Sequence, residues 1–113
     1  MTDLPQLVVL TCMDFRVDPL GALRLAPGEA FVLRNAGAVW SDDVHRSLRL
    51  ARGLGVTRVR VVAHTDCAAH GRDDAAAAAA AHATAERIGA ALPELEAEAA
   101  VLDLGTGLCR PAR

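Results

Sequence analysis

The sequence contains no lysine and no tyrosine, and aromatic residues make up only 3% of the chain. Every basic residue is arginine and alanine is heavily over-used, two biases to which genomic base composition contributes. Because aromatic side chains are scarce, the core has to be built from valine, leucine and alanine. With 113 residues, 52% hydrophobic and 23% charged, the chain can bury one core, and we expect a single domain spanning 1–113.

Targeting signals and a strong charge bias are also missing. The longest weakly apolar stretch, Ala75–Ala81, is far shorter than the roughly 20 apolar residues that span a bilayer. The first residues, MTDLPQ, lack the basic region of a signal peptide. A net charge of −2 gives no electrostatic reason to expect nucleic acid or an anionic membrane as a partner. We therefore expect a cytoplasmic protein that binds neither nucleic acid nor a membrane.

The chain has three cysteines, Cys12, Cys67 and Cys109. An odd number without an export signal argues against a disulfide framework, and favours thiol chemistry or a metal site in a reducing compartment. No C-x-x-C redox couple, C-x5-R phosphate loop or glycine-rich nucleotide motif occurs in the sequence. Cys109 is distant from the other distinctive residues, so an inert small hydrophobic residue is its favoured interpretation.

Strand and helix patterns alternate along the chain, which is typical of an α/β fold with right-handed crossovers. The strands are predicted from runs of β-branched and aliphatic residues. The predicted strands are Leu7–Thr11, Ala30–Arg34, Arg58–Ala63 and the short final strand Val101–Leu104. We therefore expect a central, mostly parallel β-sheet with flanking helices.

Three helices are predicted between these strands. They are a short helix that begins at Asp18-Pro19, the helix Ser41–Leu54, and an alanine-rich helix from Asp73 to about Leu92. Ser41 and Asp73 are suitable N-caps, and aspartates follow both in the first turn. Because of this capping, the polyalanine segment is expected to form a surface helix. The predicted apolar faces consist of Val44, Leu48 and Ala51 on one helix and Ile88, Leu92 and Leu95 near the end of the other.

Chemically distinctive residues follow the predicted strands, where parallel α/β sheets bind their ligands. Cys12 follows the first strand, and His64 and Cys67 follow the third. If these two strands are neighbours, with the second strand on the far side, the three side chains converge. Two thiolates and one imidazole suit a tetrahedral zinc ion, and three protein ligands with one open position are the catalytic pattern.

Asp14 and Arg16 follow Cys12 at steps of two residues. In extended backbone, this spacing directs the three side chains to the same side. An arginine fork can hold a carboxylate by paired hydrogen bonds, which keep Asp14 ionised and fix its orientation. Without Arg16, we expect Asp14 to occupy the open zinc position itself.

Three motifs taken together resemble the β-class carbonic anhydrases: C-x-D-x-R, R-N-A-G and H-x-x-C, each at a predicted strand end. The resemblance implies that Cys12, His64 and Cys67 bind Zn²⁺. It also implies that Asp14 and Arg16 gate the metal, with Asp14 as a fourth ligand in a closed state. The implied fold is a parallel sheet with an added antiparallel strand. The implied assembly is a homodimer or larger homo-oligomer with its active site at the dimer interface, and the implied reaction is reversible hydration of carbon dioxide to bicarbonate and a proton.

The chain departs from that family in several ways. It is shorter than typical members and nearly lacks their N-terminal helical arm. Ala68 stands where members generally carry glycine. If that position requires a positive φ, alanine there costs about 1 kcal/mol. The alternative function is therefore a zinc-binding paralogue with little or no catalysis, acting as a binding or structural module.

Several neighbouring polar residues have two explanations each. His70 either shuttles protons at the mouth of the site or is a surface-loop residue. Thr65 and Asp66 either cap the helix that follows or take part in catalysis. Arg34 is either an interface ion-pair partner or a plain surface charge. The segment 35–37 is expected to shape the turn after the second strand.

Overall fold

The computed structural model describes residues 3–112, so both ends of the predicted domain, positions 1 and 113, lie outside the described residues. Its framework is one five-stranded sheet in the order β2-β1-β3-β4-β5. The strands are β1 (Leu7–Cys12), β2 (Phe31–Asn35), β3 (Arg58–His64), β4 (Glu96–Leu102) and β5 (Cys109–Pro111). The α-helices are α1 (Asp42–Gly53) and α2 (Asp74–Ala91). Strands β1 to β4 are parallel and β5 is antiparallel to β4, which confirms the predicted α/β fold.

Both helices pack on the same face of the sheet. Leu48 of α1 and Ile88 of α2 are fully buried in one cluster with Leu10 and Val61 of the sheet. The connections β2 to β3 and β3 to β4 run in the same direction across the sheet, so right-handed crossovers bring both helices to one side. The connection β1 to β2 runs in the opposite direction and therefore passes over the other face.

The helix α1 forms as its sequence predicts. The hydroxyl of Ser41 accepts a hydrogen bond from the backbone N–H of Val44 at 3.1 Å, which caps the first turn. Val44, Leu48 and Ala51 are all buried, so the predicted apolar face is confirmed. The core is made of valine, leucine and alanine, as the shortage of aromatic residues requires.

The alanine-rich helix α2 is confirmed, but it is not simply a surface helix. The carboxylate of Asp73 caps it by accepting a hydrogen bond from the N–H of Ala76 at 3.0 Å. Ala77, Ala81 and Ala85 are buried against the sheet. Because alanine has only a methyl group, the helix axis can approach the sheet closely along this face.

The predicted short helix after β1 is wrong. Only a single 3-10 turn, Gly21–Leu23, is present there. The carboxylate of Asp18 accepts hydrogen bonds from the backbone N–H groups of Leu20 and Gly21, so it closes a local turn and does not start an α-helix. The segment instead contributes Val17 and its partly buried neighbours to a small second core on the face opposite the helices.

Strand β4 begins at Glu96, well before the predicted start at Val101. Its first half alternates glutamate with alanine, and Glu98 pairs in register with Arg60 of β3. The Arg60 guanidinium lies 3.4 Å from the Glu98 carboxylate, so cross-strand charge pairing supports a segment that lacks a hydrophobic run. The short final strand of the sheet is β5, Cys109–Pro111. No helix within residues 3–112 has the length and hydropathy needed to cross a membrane.

Candidate metal centre

The prediction that β1 and β3 are neighbouring strands is confirmed. Their carboxyl ends lie together at one edge of the sheet. Cys12 is the last residue of β1 and His64 the last residue of β3, while Cys67 follows after a turn. Their sulfur and nitrogen atoms all lie within 4.8 Å of one another. The three residues are 1–4% exposed, so they form a buried group that could hold a metal ion.

The ring of His64 is oriented as a metal ligand would be. Its Nδ1 lies 2.7 Å from the carbonyl oxygen of Thr65 and must donate to it, because a carbonyl oxygen only accepts. The tautomer with its hydrogen on Nδ1 has a bare lone pair at Nε2. Among residues 3–112, this Nε2 is the one buried side-chain nitrogen or oxygen without a hydrogen-bond partner. A buried polar atom left unpaired costs about 1–3 kcal/mol, and a metal ion at this position would remove that cost.

The two sulfurs have a spacing that suits one shared cation. Cys12 Sγ and Cys67 Sγ lie 3.9 Å apart. Two thiolates at about 2.3 Å from one tetrahedral zinc lie roughly 3.8 Å from each other, so the donor set fits this metal. Burial raises the pKa of the Cys67 thiol, while nearby backbone N–H groups of Ala69 and His70 act in the opposite direction. A bound divalent cation would select the thiolate.

Asp14 and Arg16 meet beside this group. Arg16 Nη2 lies 2.8 Å from Asp14 Oδ2, and its Nε lies 3.0 Å from Oδ1. These hydrogen bonds, and a third from the backbone N–H of Arg16, hold the pKa of Asp14 well below its usual range. The expected extended backbone is wrong, because the Val17 N–H bonds to the Asp14 carbonyl and closes a turn. Asp14 Oδ2 lies 3.8 Å from His64 Nε2, so the ionised carboxylate faces the buried group.

The comparisons with known proteins agree with this geometry. The family model described as carbonic anhydrase matches residues 7–104, most of the chain. The chain belongs to the β-carbonic anhydrase family. It is 45% identical over 62 residues to β-carbonic anhydrase 1 of Mycobacterium tuberculosis, and 43% identical over 63 residues to a carbon disulfide hydrolase of Saccharolobus solfataricus.

Coverage differs between these comparisons. The two curated alignments include 54% and 55% of this chain, but only 38% and 31% of the relatives' own lengths. The crystal structure of a carbonic anhydrase from Streptococcus mutans is 28% identical and superposes with a TM-score of 0.84. That superposition covers 96% of this chain and 83% of the other. The family match therefore covers residues 7–104, and the fold match covers nearly the whole chain.

Asp66 is a member of the site whose contacts the sequence did not reveal. Its Oδ2 lies 3.1 Å from Nη1 of Arg16, and its Oδ1 lies 3.1 Å from Nη1 of Arg72. These arginines lower the pKa of the Asp66 carboxyl. Asp66 does not cap α2, and neither does Thr65, whose hydroxyl accepts from the Leu104 N–H. Asp66 has a φ of 55°, a turn conformation that aspartate tolerates.

Arg34 is more than a plain surface charge, because it makes hydrogen bonds within the chain. Its guanidinium donates to three backbone carbonyls of the loop after β1, those of Cys12, Asp14 and Val17, at 2.8–3.3 Å. This loop carries both a candidate ligand and the Asp14 carboxylate. Arg34, the first residue of the R-N-A-G motif, therefore holds the loop that carries the C-x-D-x-R motif.

The turn after β2 is shaped as expected. The Asn35 side chain both donates to the carbonyl and accepts from the N–H of Val39, at 2.8 and 3.0 Å. Gly37 adopts φ 87°, and its N–H donates to Cys12 Sγ at 3.3 Å. His70 Nε2 lies 2.9 Å from the Gly37 carbonyl oxygen, so His70 is a half-buried contact between two loops and not a free surface residue.

Two further expectations concern Ala68, beside the site, and Cys109, outside it. Ala68 does not have a positive φ, so the predicted strain at that position is absent. It begins the 3-10 turn Ala68–His70, which an alanine enters without cost. Cys109 lies on β5, next to Leu102 of β4, and is not part of the group that could hold a metal ion. Burial raises the pKa of the Cys109 thiol.

Proposed function

We propose that this chain is a zinc-dependent carbonic anhydrase that interconverts carbon dioxide and bicarbonate. The observation that carries the proposal is the unpartnered, buried Nε2 of His64, with two cysteine sulfurs within 4.8 Å and the Asp14 carboxylate at 3.8 Å. Family membership and the 45% identity to a β-carbonic anhydrase support the same activity. The alignment covers 38% of that relative's length, so its activity is a proposal for this chain.

In this proposal Cys12, His64 and Cys67 hold the zinc ion. When bound, zinc supplies a Lewis acid that lowers the pKa of a water molecule to about 7. The Thr65 carbonyl fixes the His64 tautomer and ring orientation, as outer partners of metal-binding histidines do. The burial of all three side chains limits competing ligands from solvent.

Asp14 is proposed as the residue that selects and orients the substrate. An ionised carboxylate only accepts hydrogen bonds, so it favours a substrate that presents an O–H group, such as bicarbonate, over an anion that has none. Arg16 keeps this carboxylate ionised and directs its Oδ2 toward the site. If the pair opens, Asp14 is free to become the fourth ligand, which is the closed state of the proposed gate.

A homodimer is the proposed assembly. Met13 and Phe15 flank Asp14, and their side chains are 65% and 93% exposed. Large apolar groups exposed beside a reactive site are typical of a surface that a partner covers. Crystal structures of two tetrameric β-carbonic anhydrases from Sordaria macrospora share the fold, with a TM-score of 0.75 at 19% identity. Three free cysteines are consistent with the reducing cytoplasm as the location.

Light scattering at micromolar concentration tests the assembly. We expect the mass of a dimer or a multiple of it, because the exposed Met13 and Phe15 need a covering surface. A monomer that retains full activity would contradict this proposal.

The activity is tested with Arg16→Ala in a stopped-flow hydration assay, with zinc content measured on the same samples. Arg16 is not a ligand, so we expect unchanged zinc content and a rate lowered by about 10- to 100-fold, as for other outer partners of metal sites. Arg46→Ala is the matched control, since it removes an exposed arginine–aspartate pair at 2.7 Å on α1. The control should keep the full rate.

Two other outcomes decide between the remaining candidates. A zinc-loaded dimer that hydrates carbon dioxide no faster than buffer, from neutral to alkaline pH, would favour the zinc-binding module without catalysis. Similarity to carbon disulfide hydrolases favours a second enzymatic candidate. The same samples are therefore assayed for hydrogen sulfide release from carbon disulfide, and a faster reaction with this substrate would replace the first proposal.

A further inference from the structure

His70 connects the two loops that carry the candidate metal centre. It belongs to the 3-10 turn Ala68–His70 after Cys67, and its Nε2 lies 2.9 Å from the carbonyl oxygen of Gly37. Because a carbonyl oxygen only accepts, Nε2 must carry a hydrogen and donate it, whatever the charge on the ring. The His70 side chain therefore holds the backbone on the carboxyl side of Gly37 from outside its own loop.

Gly37 is in turn the direct partner of a candidate ligand. Its backbone N–H donates to Cys12 Sγ at 3.3 Å. A Cβ added at Gly37 would lie 2.7 Å from His70 Nε2, so the absence of a side chain is what lets the ring reach the carbonyl. Glycine is also the residue with the widest range of backbone conformations, so sterics alone do not fix the direction of this N–H.

We propose that His70 is a positioning residue for the metal centre. Its hydrogen bond pins Gly37, so that the Gly37 N–H stays directed at the Cys12 sulfur. An N–H···S hydrogen bond orients the sulfur and withdraws electron density from it. The inference rests on the proposed function, because it concerns a sulfur that would bind zinc, and it assigns His70 a role other than proton transfer.

Three measurable consequences follow if the hydrogen bond from His70 is lost. Zinc affinity falls by about tenfold, the lower end of what outer-partner mutations cause, because the Cys12 sulfur is then no longer held in its orientation by the Gly37 N–H. In the cobalt-substituted protein, the sulfur-to-cobalt charge-transfer band moves to longer wavelength, because the sulfur becomes more electron-rich. The Gly37 amide hydrogen exchanges faster with solvent, since Gly37 is no longer held through its carbonyl and its N–H leaves the Cys12 sulfur more often.

The experiment compares His70→Gln with His70→Leu in the full chain. Glutamine places a side-chain N–H close to the position of Nε2, whereas leucine has similar bulk and no donor. Zinc affinity is measured by competition with a chromophoric chelator, the cobalt band by absorption, and Gly37 exchange by NMR of the metal-free protein. We expect His70→Gln to resemble the unchanged protein in all three and His70→Leu to show all three shifts. His70→Met, whose flexible chain also lacks a donor, is a second donor-free variant if His70→Leu does not fold.

The outcomes separate this inference from the function on which it rests. If a folded donor-free variant keeps the zinc affinity, cobalt band and Gly37 exchange of the unchanged protein, the role of His70 is wrong while the metal site stands. If His70→Gln loses as much as His70→Leu, ring shape and not the hydrogen bond matters, which also overturns the inference. If the unchanged protein binds neither zinc nor cobalt, the proposed function fails, and the role assigned to His70 fails with it.

Discussion

The three cysteines of the chain have the same side chain but different surroundings. Cys12 and Cys67 have sulfurs 3.9 Å apart, beside the bare Nε2 of His64, where a shared cation would stabilise both thiolates. Cys109 lies on β5 against the smaller core, where burial disfavours the charged thiolate and Arg60 offsets this only in part. The chemistry of each thiol is therefore set by its neighbours.

This difference predicts how Cys109 reacts with iodoacetamide. The thiolate is the reactive form, so a raised pKa means that alkylation is slow at neutral pH and accelerates only above the ordinary thiol range of about 8.5. Mass spectrometry of the modified peptide at a series of pH values measures the rate, with the urea-unfolded chain as the reference. A folded-state profile with the same midpoint as the unfolded chain would contradict the prediction.

At the scale of elements, backbone conformation separates glycines that look alike in sequence. Gly89 lies inside α2 and Gly55 follows α1, and an added Cβ would meet no atom within 4 Å at either position. The two differ in φ, which is 104° at Gly55 and not positive at Gly89. The turn after α1 therefore requires glycine, whereas α2 does not.

Substituting each of these glycines with alanine should change stability in opposite directions. Gly89→Ala should raise the free energy of unfolding by about 0.5–1 kcal/mol, because alanine has the higher helix propensity. Gly55→Ala should lower it by about 1–2 kcal/mol, because a Cβ is unfavourable at positive φ. Urea denaturation followed by circular dichroism measures both changes. Two shifts of the same sign would show that α2 or the turn is built differently.

At the scale of the whole molecule, the candidate metal centre is built from parts of the chain that are far apart in sequence. Its candidate ligands come from the ends of β1 and β3 and from the turn after β3, and the sheet holds these ends together. The loop between β1 and β2 is tied down by Arg34 and not by a helix. A bound ion would add a further link among these elements.

Zinc removal should therefore lower the stability of the folded chain. At free zinc a thousandfold above its Kd, binding to the folded state alone adds about 4 kcal/mol. Thermal unfolding with and without a chelator measures this increment as a shift in Tm. Cys12→Ala should abolish the shift, and Cys109→Ala should preserve it. An equal Tm with and without chelator in the unchanged protein would contradict zinc binding by the folded chain.

The sequence by itself determined the local features of this protein. Capping residues predicted α1 and α2, apolar spacing predicted the buried face of α1, and β-branched runs predicted β1 to β3, because these signals act between residues close in the chain. Apolar spacing was wrong for α2, because Leu92 and Leu95 lie beyond its last residue, Ala91. The three motifs at the strand ends predicted the family. They also predicted that Cys12, His64 and Cys67 would lie at one edge of the sheet. Their role as zinc ligands, and the extent of the domain, stay predictions.

Only the tertiary structure decided the contacts between distant segments. The partners of Asp66, Arg34 and His70 come from other loops, and no local pattern encodes which loop will be adjacent. The early start of β4 was missed because its alternating glutamates are matched by charges on a neighbouring strand, Arg60 among them. A side chain's identity is local, whereas its hydrogen-bond partner depends on how the sheet orders its strands, and this is why the fold had to be known first.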